Sequence, residues 1–196
     1  MTRFIGLTGG IGAGKSEALA AAARLGAATL STDRVAHDLL DREDVRKLLV
    51  ERWGPEVAPS GAVDRVKVAE IVFERPDELS WLESQLHPRV GEAVLDWRRD
   101  LGPDVEVAVV EVPLLFEAAM EGAFDRTAAV VASDEIRERR LAQRGQPGLA
   151  GRESRQLDQD EKAARADFVI RNDGTIEELE ARVGELLAAV GSEGAR

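Results

Sequence analysis

The sequence lacks cysteine, has only four lysines among its 26 basic residues, and contains no long hydrophobic run. Without cysteine, disulfide bonds, thiolate metal sites and a cysteine nucleophile are excluded. No stretch approaches the ~20 apolar residues that cross a bilayer, and the first residues do not show the charged start and apolar run of a secretory signal. We therefore expect a cytoplasmic protein.

Acidic side chains outnumber basic ones by 37 to 26, which gives a net charge of −11 and an isoelectric point near 4.8. This charge repels polyanions, so we expect neither nucleic acid nor membrane as a partner. An anionic ligand must then be held by a local site. The 196 residues suit one domain, or one domain with a sizeable insertion, and we expect a monomer or weak homo-oligomer.

Five short apolar runs alternate with helical patterns along the chain. The predicted strands cover residues 3–8, 27–30, 105–112, 127–132 and 168–170. The predicted helices cover residues 16–25, a segment after Asp33, residues 133–144 and 153–165, and a closing helix that a capping box at Thr175 and Glu178 begins. Strands that alternate with helices predict an α/β fold whose five-stranded parallel sheet is covered on both faces.

The pattern changes between residues 43 and 101. All three tryptophans fall there, and Gly54-Pro55, Ser60-Gly61 and Arg75-Pro76 interrupt its helical patterns. We expect a helical insertion at 43–101 with its own small core. The remaining core would comprise residues 1–42, 102–136 and 166–196, and residues 137–165 would form a separate region described below.

Residues 9–16 match the pattern G-x-x-x-x-G-K-S/T, after a predicted strand and before a predicted helix. In such a phosphate loop, backbone N–H groups and the following helix bind phosphate oxygens. Lys15 would reach the β and γ phosphates, and the Ser16 hydroxyl would bind Mg²⁺. The residues expected to bind the nucleotide are Gly9, Gly10, Ile11, Gly12, Ala13, Gly14, Lys15, Ser16 and the adjoining Glu17.

A phosphate loop alone is compatible with a GTPase switch, an ATPase motor and a small-molecule kinase. A GTPase would need an Asn-Lys-x-Asp motif to read the base and an Asp-x-x-Gly switch. The sequence contains neither of them, and its nearest fragment is residues 171–174. The GTPase interpretation is therefore disfavoured.

Two acidic residues follow or end predicted strands, where ligands bind in open parallel sheets. Asp33 lies just after the second strand and could accept the proton of a substrate hydroxyl, or it could only cap the helix behind it. Glu111 ends the third strand and could hold a water of the Mg²⁺ shell, or it could face solvent as a strand-end charge.

Residues 137–155 form the most basic stretch of this acidic chain, with six arginines against two glutamates around a glycine-rich segment. Such a stretch could close over a triphosphate as a lid, neutralise charge and exclude water. It could instead be a solvated arginine face of a helix. Arg140 and Arg144 belong to this lid region.

The chain resembles the dephospho-CoA kinase family over nearly its whole length. The resemblance is carried by residues 6–16 (GLTGGIGAGKS), Asp33 with Ala36 and His37, residues 61–65 (GAVDR), 86–88 (LHP), 112–117 (VPLLFE) and 166–172 (ADFVIRN), and Arg140, Arg144, Arg152, Gln156 and Lys162. Ser31, Glu111 and Glu17 depart from residues common in that family, namely Asp, Asp and Thr.

The resemblance implies a three-layer P-loop kinase fold with a helical CoA-binding insertion and a lid. It also implies an ATP- and Mg²⁺-dependent phosphorylation of the ribose 3′-hydroxyl of dephospho-CoA. Asp33 would be the base, Lys15 would hold phosphate, Arg140 would contact the transferring phosphoryl group and Arg144 would bind ATP. The implied substrate-binding residues are Asp33, Arg65, His87, Pro113, Leu114 and Glu117, and the implied metal ligands are Ser16 and Glu111.

Two alternatives use the same phosphate loop. One is a kinase for another small acceptor, such as a nucleoside monophosphate. The other is a nucleotide-dependent binding module without an acceptor, which would bind ATP and release no ADP.

Overall fold

The computed structural model describes residues 1–143 and 156–192. Its five strands are β1 (Arg3–Gly9), β2 (Ala28–Ser31), β3 (Val107–Glu111), β4 (Arg126–Val131) and β5 (Phe168–Arg171). They form one parallel sheet in the order β2-β3-β1-β4-β5. The predicted five-stranded parallel sheet is confirmed.

Eight α-helices are present in the described part of the chain. They are α1 (Lys15–Arg24), α2 (Thr32–Leu40), α3 (Glu43–Trp53), α4 (Arg65–Glu74), α5 (Pro76–Asp100), α6 (Asp134–Gln143), α7 (Gln159–Arg165) and α8 (Ile176–Ser192). None of them combines the length and the apolar composition that a membrane crossing requires.

Two helix starts show how local sequence sets the boundaries. At the start of α8, the Thr175 hydroxyl accepts from the Glu178 N–H at 3.3 Å and the Glu178 carboxylate accepts from the Thr175 N–H at 3.2 Å, which confirms the predicted capping box. The prediction of a helix from Glu153 onward is wrong for residues 156–158, which are not helical. Asp158 accepts from the Glu161 N–H at 2.7 Å, so the helix begins after it.

Contacts divide the chain into two compact units: the first combines Met1–Ser31 with the chain from Leu101 onward, and the second is Thr32–Asp100. The expected division after residue 42 differs from this by the whole of α2. The reason is tertiary packing, because α2 contacts α5 of the second unit.

The sheet of the first unit is covered on both faces. Ile5 and Leu7 of β1 are buried in a core shared with α1 and α8. Gly6 and Thr8, which alternate with them in β1, face the other side of the sheet. A Cβ at Gly6 would lie 2.8 Å from Phe124, and Thr8 donates to the Pro113 carbonyl at 3.2 Å. All five residues of β3 are buried, as in a central strand of a three-layer fold.

The second unit has a core of its own. The buried residues of that core are Leu40, Val45, Leu49, Val57, Val63, Val68 and Leu82. Trp53 and Trp81 pack against this core and contact each other edge to face, with ring centroids 5.2 Å apart. Buried Glu78 accepts hydrogen bonds from Trp53 at 2.8 Å and from Arg52 at 3.0 and 3.2 Å, and it links α3 to α5.

Candidate functional site

The phosphate loop connects the end of β1 to the start of α1 in the first unit. Two of its glycines are required by the structure. A Cβ at Gly9 would lie 2.2 Å from the Val130 carbonyl oxygen, and a Cβ at Gly14, which has φ +100°, would lie 2.1 Å from Nδ2 of Asn172. The loop therefore packs closely against β4 and against the segment that follows β5.

Lys15 folds back over the phosphate loop. Its Nζ donates to the carbonyl oxygens of Gly9 and Gly10, each at 3.1 Å. The Ala13 N–H also donates to the Gly10 carbonyl at 3.2 Å, which closes the turn. The ammonium is thus positioned at the start of the loop, where a bound phosphate chain would need a positive charge.

The two residues after Lys15 lie in the first turn of α1. Ser16 is exposed there, at the amino end of the helix. The Glu17 carboxylate pairs with Arg24 at 3.1 Å, and Arg24 also pairs with Glu180 at 2.8 Å. The Glu17 side chain is therefore engaged within α1, which leaves its main chain as the part of that residue suited to a nucleotide.

Three polar side chains from distant segments contact the carbonyl groups of the phosphate loop. Arg137 on α6 donates from Nε to Ile11 O at 2.8 Å. Arg140, one turn later, donates from Nη1 to Ala13 O at 3.2 Å. Asn172, just after β5, donates from Nδ2 to the same oxygen at 2.8 Å. Arg140 was expected on the transferring phosphoryl group, and in the structure it bonds to the loop and to Asn172.

The lid region is only partly within the described residues. Arg144, Arg152 and Arg155 lie outside them. The expectation that Arg144 binds ATP stays a prediction.

The carboxyl ends of β1, β2 and β3 lie side by side. Glu111 at the end of β3 is in register with Leu7 of β1 and with Ser31 of β2, and it is buried. Among the described residues, no group of three or more acidic, histidine or cysteine side chains forms a protein-only metal site. Mg²⁺ in kinase sites uses one or two protein oxygens together with phosphates, so the carboxylate of Glu111 and the hydroxyl of Ser16 fit this metal by their chemistry.

The segment after β3 is held by a buried ion pair. Lys162 of α7 is fully buried, and its Nζ lies 2.6 Å from the Pro113 carbonyl oxygen and 3.0 Å from Oε1 of Glu117. Glu117 also accepts from the Leu157 N–H at 2.8 Å. Pro113 and Glu117, both expected to contact substrate, are therefore joined to α7, and Leu114 lies between them.

The pKa values of this pair reflect its burial. Burial raises the pKa of Glu117, but hydrogen bonds from the backbone and from Lys162 outweigh that effect, so the pKa lies below its ordinary value. Burial lowers the pKa of Lys162, and Glu117 partly offsets the shift. The Glu117 carboxylate is thus held in its charged form.

The other residues expected at the acceptor site belong to the second unit. Asp33 is exposed in the first turn of α2, two residues after β2 ends. Arg65 begins α4 and donates to Asp41 at 2.7 Å and to the His37 carbonyl at 3.2 Å. His87 is exposed within α5, just before Pro88.

Sequence analysis did not identify Arg137 and Asn172 as contacts of the phosphate loop. Arg137 was one of six arginines in a basic stretch. Asn172 lay in the 166–172 segment of the family resemblance and in a fragment that fails to match a GTPase motif, with no role assigned to it. Their partners are main-chain carbonyls 126 and 159 residues away. A carbonyl acceptor leaves no side-chain signature, so the sequence offered no signal for the pairing.

The sequence and the fold are similar to those of known proteins. The family model for dephospho-CoA kinase matches residues 3–178. The dephospho-CoA kinase of Moorella thermoacetica is 40% identical over 189 residues, which cover 92% of this chain and 88% of that protein. The crystal structure of TT1252 from Thermus thermophilus has 34% identity and a TM-score of 0.81, with 96% of this chain and 97% of that chain covered.

A further solved structure shows the same fold. It is the dephospho-CoA kinase from Campylobacter jejuni, with 24% identity, a TM-score of 0.73, and 99% of this chain and 100% of that chain covered. The family model spans most of the sequence, and the Moorella relative covers nearly all of it at well above 30% identity. The chain therefore belongs to the dephospho-CoA kinase family.

Proposed function

We propose that the protein transfers the γ-phosphoryl group of ATP to the ribose 3′-hydroxyl of dephospho-CoA and so forms coenzyme A and ADP. The observation that carries this proposal is the phosphate loop, with Lys15 over its carbonyls and its own backbone held by side chains of α6 and Asn172. The family match supports the choice of acceptor.

The chemistry requires little covalent work by the protein. The 3′-oxygen forms a bond to the γ phosphorus as the bond between that phosphorus and the β,γ-bridging oxygen breaks. Asp33 accepts the proton of the hydroxyl. Lys15 and the N–H groups of the loop offset the charge on the phosphates, and ADP leaves with the bridging oxygen.

Mg²⁺ would be held by Ser16 and Glu111 together with phosphate oxygens. When bound, the ion offsets negative charge on the β and γ phosphates. Glu111 is buried at the end of β3, where the flanking strands limit its movement. Ser16 presents its hydroxyl from the first turn of α1.

Four residues besides Asp33 would contact the acceptor. We assign Arg65 and His87 of the helical unit, and Pro113 and Leu114 after β3, to substrate contacts. Glu117 supports this set because its ion pair with Lys162 holds the Pro113 carbonyl. ATP would be the phosphoryl donor, and we place the reaction in the cytoplasm.

An acceptor panel tests the function directly. Purified protein with ATP and Mg²⁺ is offered dephospho-CoA, adenosine monophosphate, shikimate and no acceptor, and ADP release is followed by a coupled assay. We expect rapid release with dephospho-CoA alone, and a product carrying one added phosphate by mass spectrometry. Faster turnover of another acceptor would identify a different kinase. ATP binding without ADP release for any acceptor would indicate a binding module.

A further inference from the structure

The orientation of each peptide plane in the phosphate loop decides which way its N–H groups point. In a trans peptide, the carbonyl of one residue and the N–H of the next point to opposite sides of the same plane, and the described chain has no cis peptide bond. A donor that binds the Ile11 carbonyl therefore turns the Gly12 N–H the other way. A donor on the Ala13 carbonyl does the same for the Gly14 N–H.

Arg137 holds the first of these carbonyls. Its side chain is almost completely buried, and Nε lies 2.8 Å from Ile11 O while Nη1 pairs with Asp134 at 2.9 Å. The main chain of α6 also touches the loop there, because a Cβ at Gly12 would lie 3.0 Å from the Arg137 carbonyl oxygen. The side chain and the helix fix this half of the loop together.

Asn172 holds the second carbonyl. Its Oδ1 accepts from Nη2 of Arg140 at 3.2 Å, and since a guanidinium can only donate, this contact orients the amide with Nδ2 toward Ala13 O at 2.8 Å. The Asn172 N–H donates to the Val131 carbonyl at 2.8 Å, which ties the residue to the end of β4. Asn172 is 4% exposed.

We infer that Arg137, Arg140 and Asn172 form an external clamp that keeps the N–H groups of Gly12 and Gly14 directed to the phosphate side of the loop, and that Asn172 is a positioning residue for ATP binding. This inference rests on the proposed function, because it concerns the same nucleotide site. It gives Arg140 a role in holding the loop, and the expected contact of Arg140 with the transferring phosphoryl group stays a prediction. None of the three residues lies in the phosphate-loop motif.

Removal of the Asn172 donor should lower ATP affinity. Ala13 O would then accept from Arg140 alone, and the peptide plane between Ala13 and Gly14 could rotate more freely. The loss of one buried hydrogen bond corresponds to a change in affinity of about 5- to 100-fold. Dephospho-CoA does not depend on this peptide plane, so its KM should stay within about twofold of the parent.

The test compares two substitutions of Asn172. Asn172→Asp keeps an acceptor for Arg140, replaces the donor to Ala13 O by a carboxylate oxygen and adds a negative charge. Asn172→Leu removes the donor and the acceptor at similar volume and adds no charge, so it separates the loss of the donor from the effect of charge. The dissociation constant of Mg²⁺-ATP is measured by calorimetry, the KM of each substrate by the coupled assay, and stability by thermal unfolding. We expect both variants to raise the dissociation constant and the KM of ATP.

Thr127→Val is the matched control. Thr127 is also buried in the first unit, and its hydroxyl bonds Asp167 at 2.8 Å, away from the phosphate loop. This variant should lose stability and keep its affinity for ATP. If both Asn172 variants lose stability as the control does and bind ATP as tightly as the parent, the residue is only structural and the inference is overturned.

A second variant covers the case in which the Asn172 variants do not fold. Arg137→Lys keeps the positive charge and loses the fixed geometry of Nε toward Ile11 O, and it should also raise the KM of ATP more than that of dephospho-CoA. Unchanged ATP affinity in this variant would count against the clamp. Failure of the parent protein to bind ATP would instead overturn the proposed function, which keeps the two outcomes distinct.

Discussion

Both units bury charged or amide side chains, but these groups bind different partners. In the first unit, Arg137, Lys162 and Asn172 are at most 4% exposed, and each donates to main-chain carbonyls of a loop that follows a strand. In the second unit, Glu78 is 7% exposed and accepts from the side chains of Arg52 and Trp53 on another helix.

This difference separates the two purposes of buried polar groups. A side chain that binds a loop carbonyl sets the orientation of peptide groups that can contact a ligand. A side chain that joins two helices contributes to their packing and to a specific arrangement of the core. Substitutions in the first set should therefore alter ligand binding or turnover, and those in the second should alter stability alone.

The largest effect is expected at an exposed residue of the second unit. Asp33→Asn removes the proposed proton acceptor, and kcat should fall by about 10² to 10⁴ because that is the usual contribution of a general base. ATP affinity and the unfolding temperature should stay near the parent values. Steady-state kinetics and calorimetry measure these quantities.

Asp38→Asn is the control, since Asp38 is also exposed on α2. It should retain the parent kcat. Turnover of the Asp33 variant within about threefold of the parent would remove Asp33 from the chemistry, and the helical unit would then supply packing and substrate contacts only.

The next largest effect is expected at the buried ion pair of the first unit. Lys162→Met leaves the Glu117 carboxylate without its cation, and the free energy of unfolding should fall by about 3 to 5 kcal/mol. Urea unfolding measures the change. The double variant Lys162→Met with Glu117→Gln should recover part of the loss, because no uncompensated charge remains.

Kinetic measurements show whether the ion pair of Lys162 and Glu117 also contributes to acceptor binding. If the Lys162 carbonyl contact positions Pro113 for the acceptor, folded Lys162→Met protein should show a raised KM for dephospho-CoA. A loss of stability with both KM values unchanged would place Lys162 with Glu78, as a packing group.

The smallest effect concerns the pH dependence of the second unit. Hydrogen bonds from Arg52 and then Trp53 hold the pKa of Glu78 below its ordinary value near 4.5. Because the pKa is lowered in the folded state, the charged Glu78 carboxylate stabilises that state. The stabilisation is complete above about pH 4.5 and is lost as pH falls through the folded-state pKa. The unfolding of Glu78→Gln should therefore depend less on pH than that of the parent below about pH 4.5. Circular dichroism measures the unfolding.

Glu74→Gln, at an exposed position of α4, provides the comparison for Glu78. Its acid unfolding should follow that of the parent. Equal pH dependence in the Glu78 variant and the parent would show that the contact with Arg52 does not contribute to acid stability.

Local patterns in the sequence accounted for much of the fold. The strands, the phosphate loop and the capping box of Thr175 and Glu178 are each specified within a few residues, and the structure has all of them. The N-cap of α7, Asp158, was also marked by a local signal of the form D-x-x-E, and the helical pattern upstream obscured it. The place of α2 in the second unit was not readable, because it depends on packing against α5.

The same distinction between local sequence patterns and contacts of distant segments applies to the candidate site. Gly9 to Ser16 form one contiguous motif, so Lys15 and Ser16 could be assigned from spacing. The clamp could not be assigned in this way, because Arg137 and Asn172 contact the phosphate loop only once the folded sheet has brought α6 and the end of β5 close to that loop. Their acceptors are backbone atoms, which any residue supplies.

The central claim is that the phosphate loop of the first unit binds the triphosphate of ATP. Calorimetric titration of Mg²⁺-ATP into the parent protein and into Lys15→Met tests it most directly. The account predicts saturable binding at one site per chain in the parent, and affinity reduced at least about tenfold when the ammonium is removed. An absence of binding heat in the parent across several temperatures, or equal affinity in the two proteins, would contradict it.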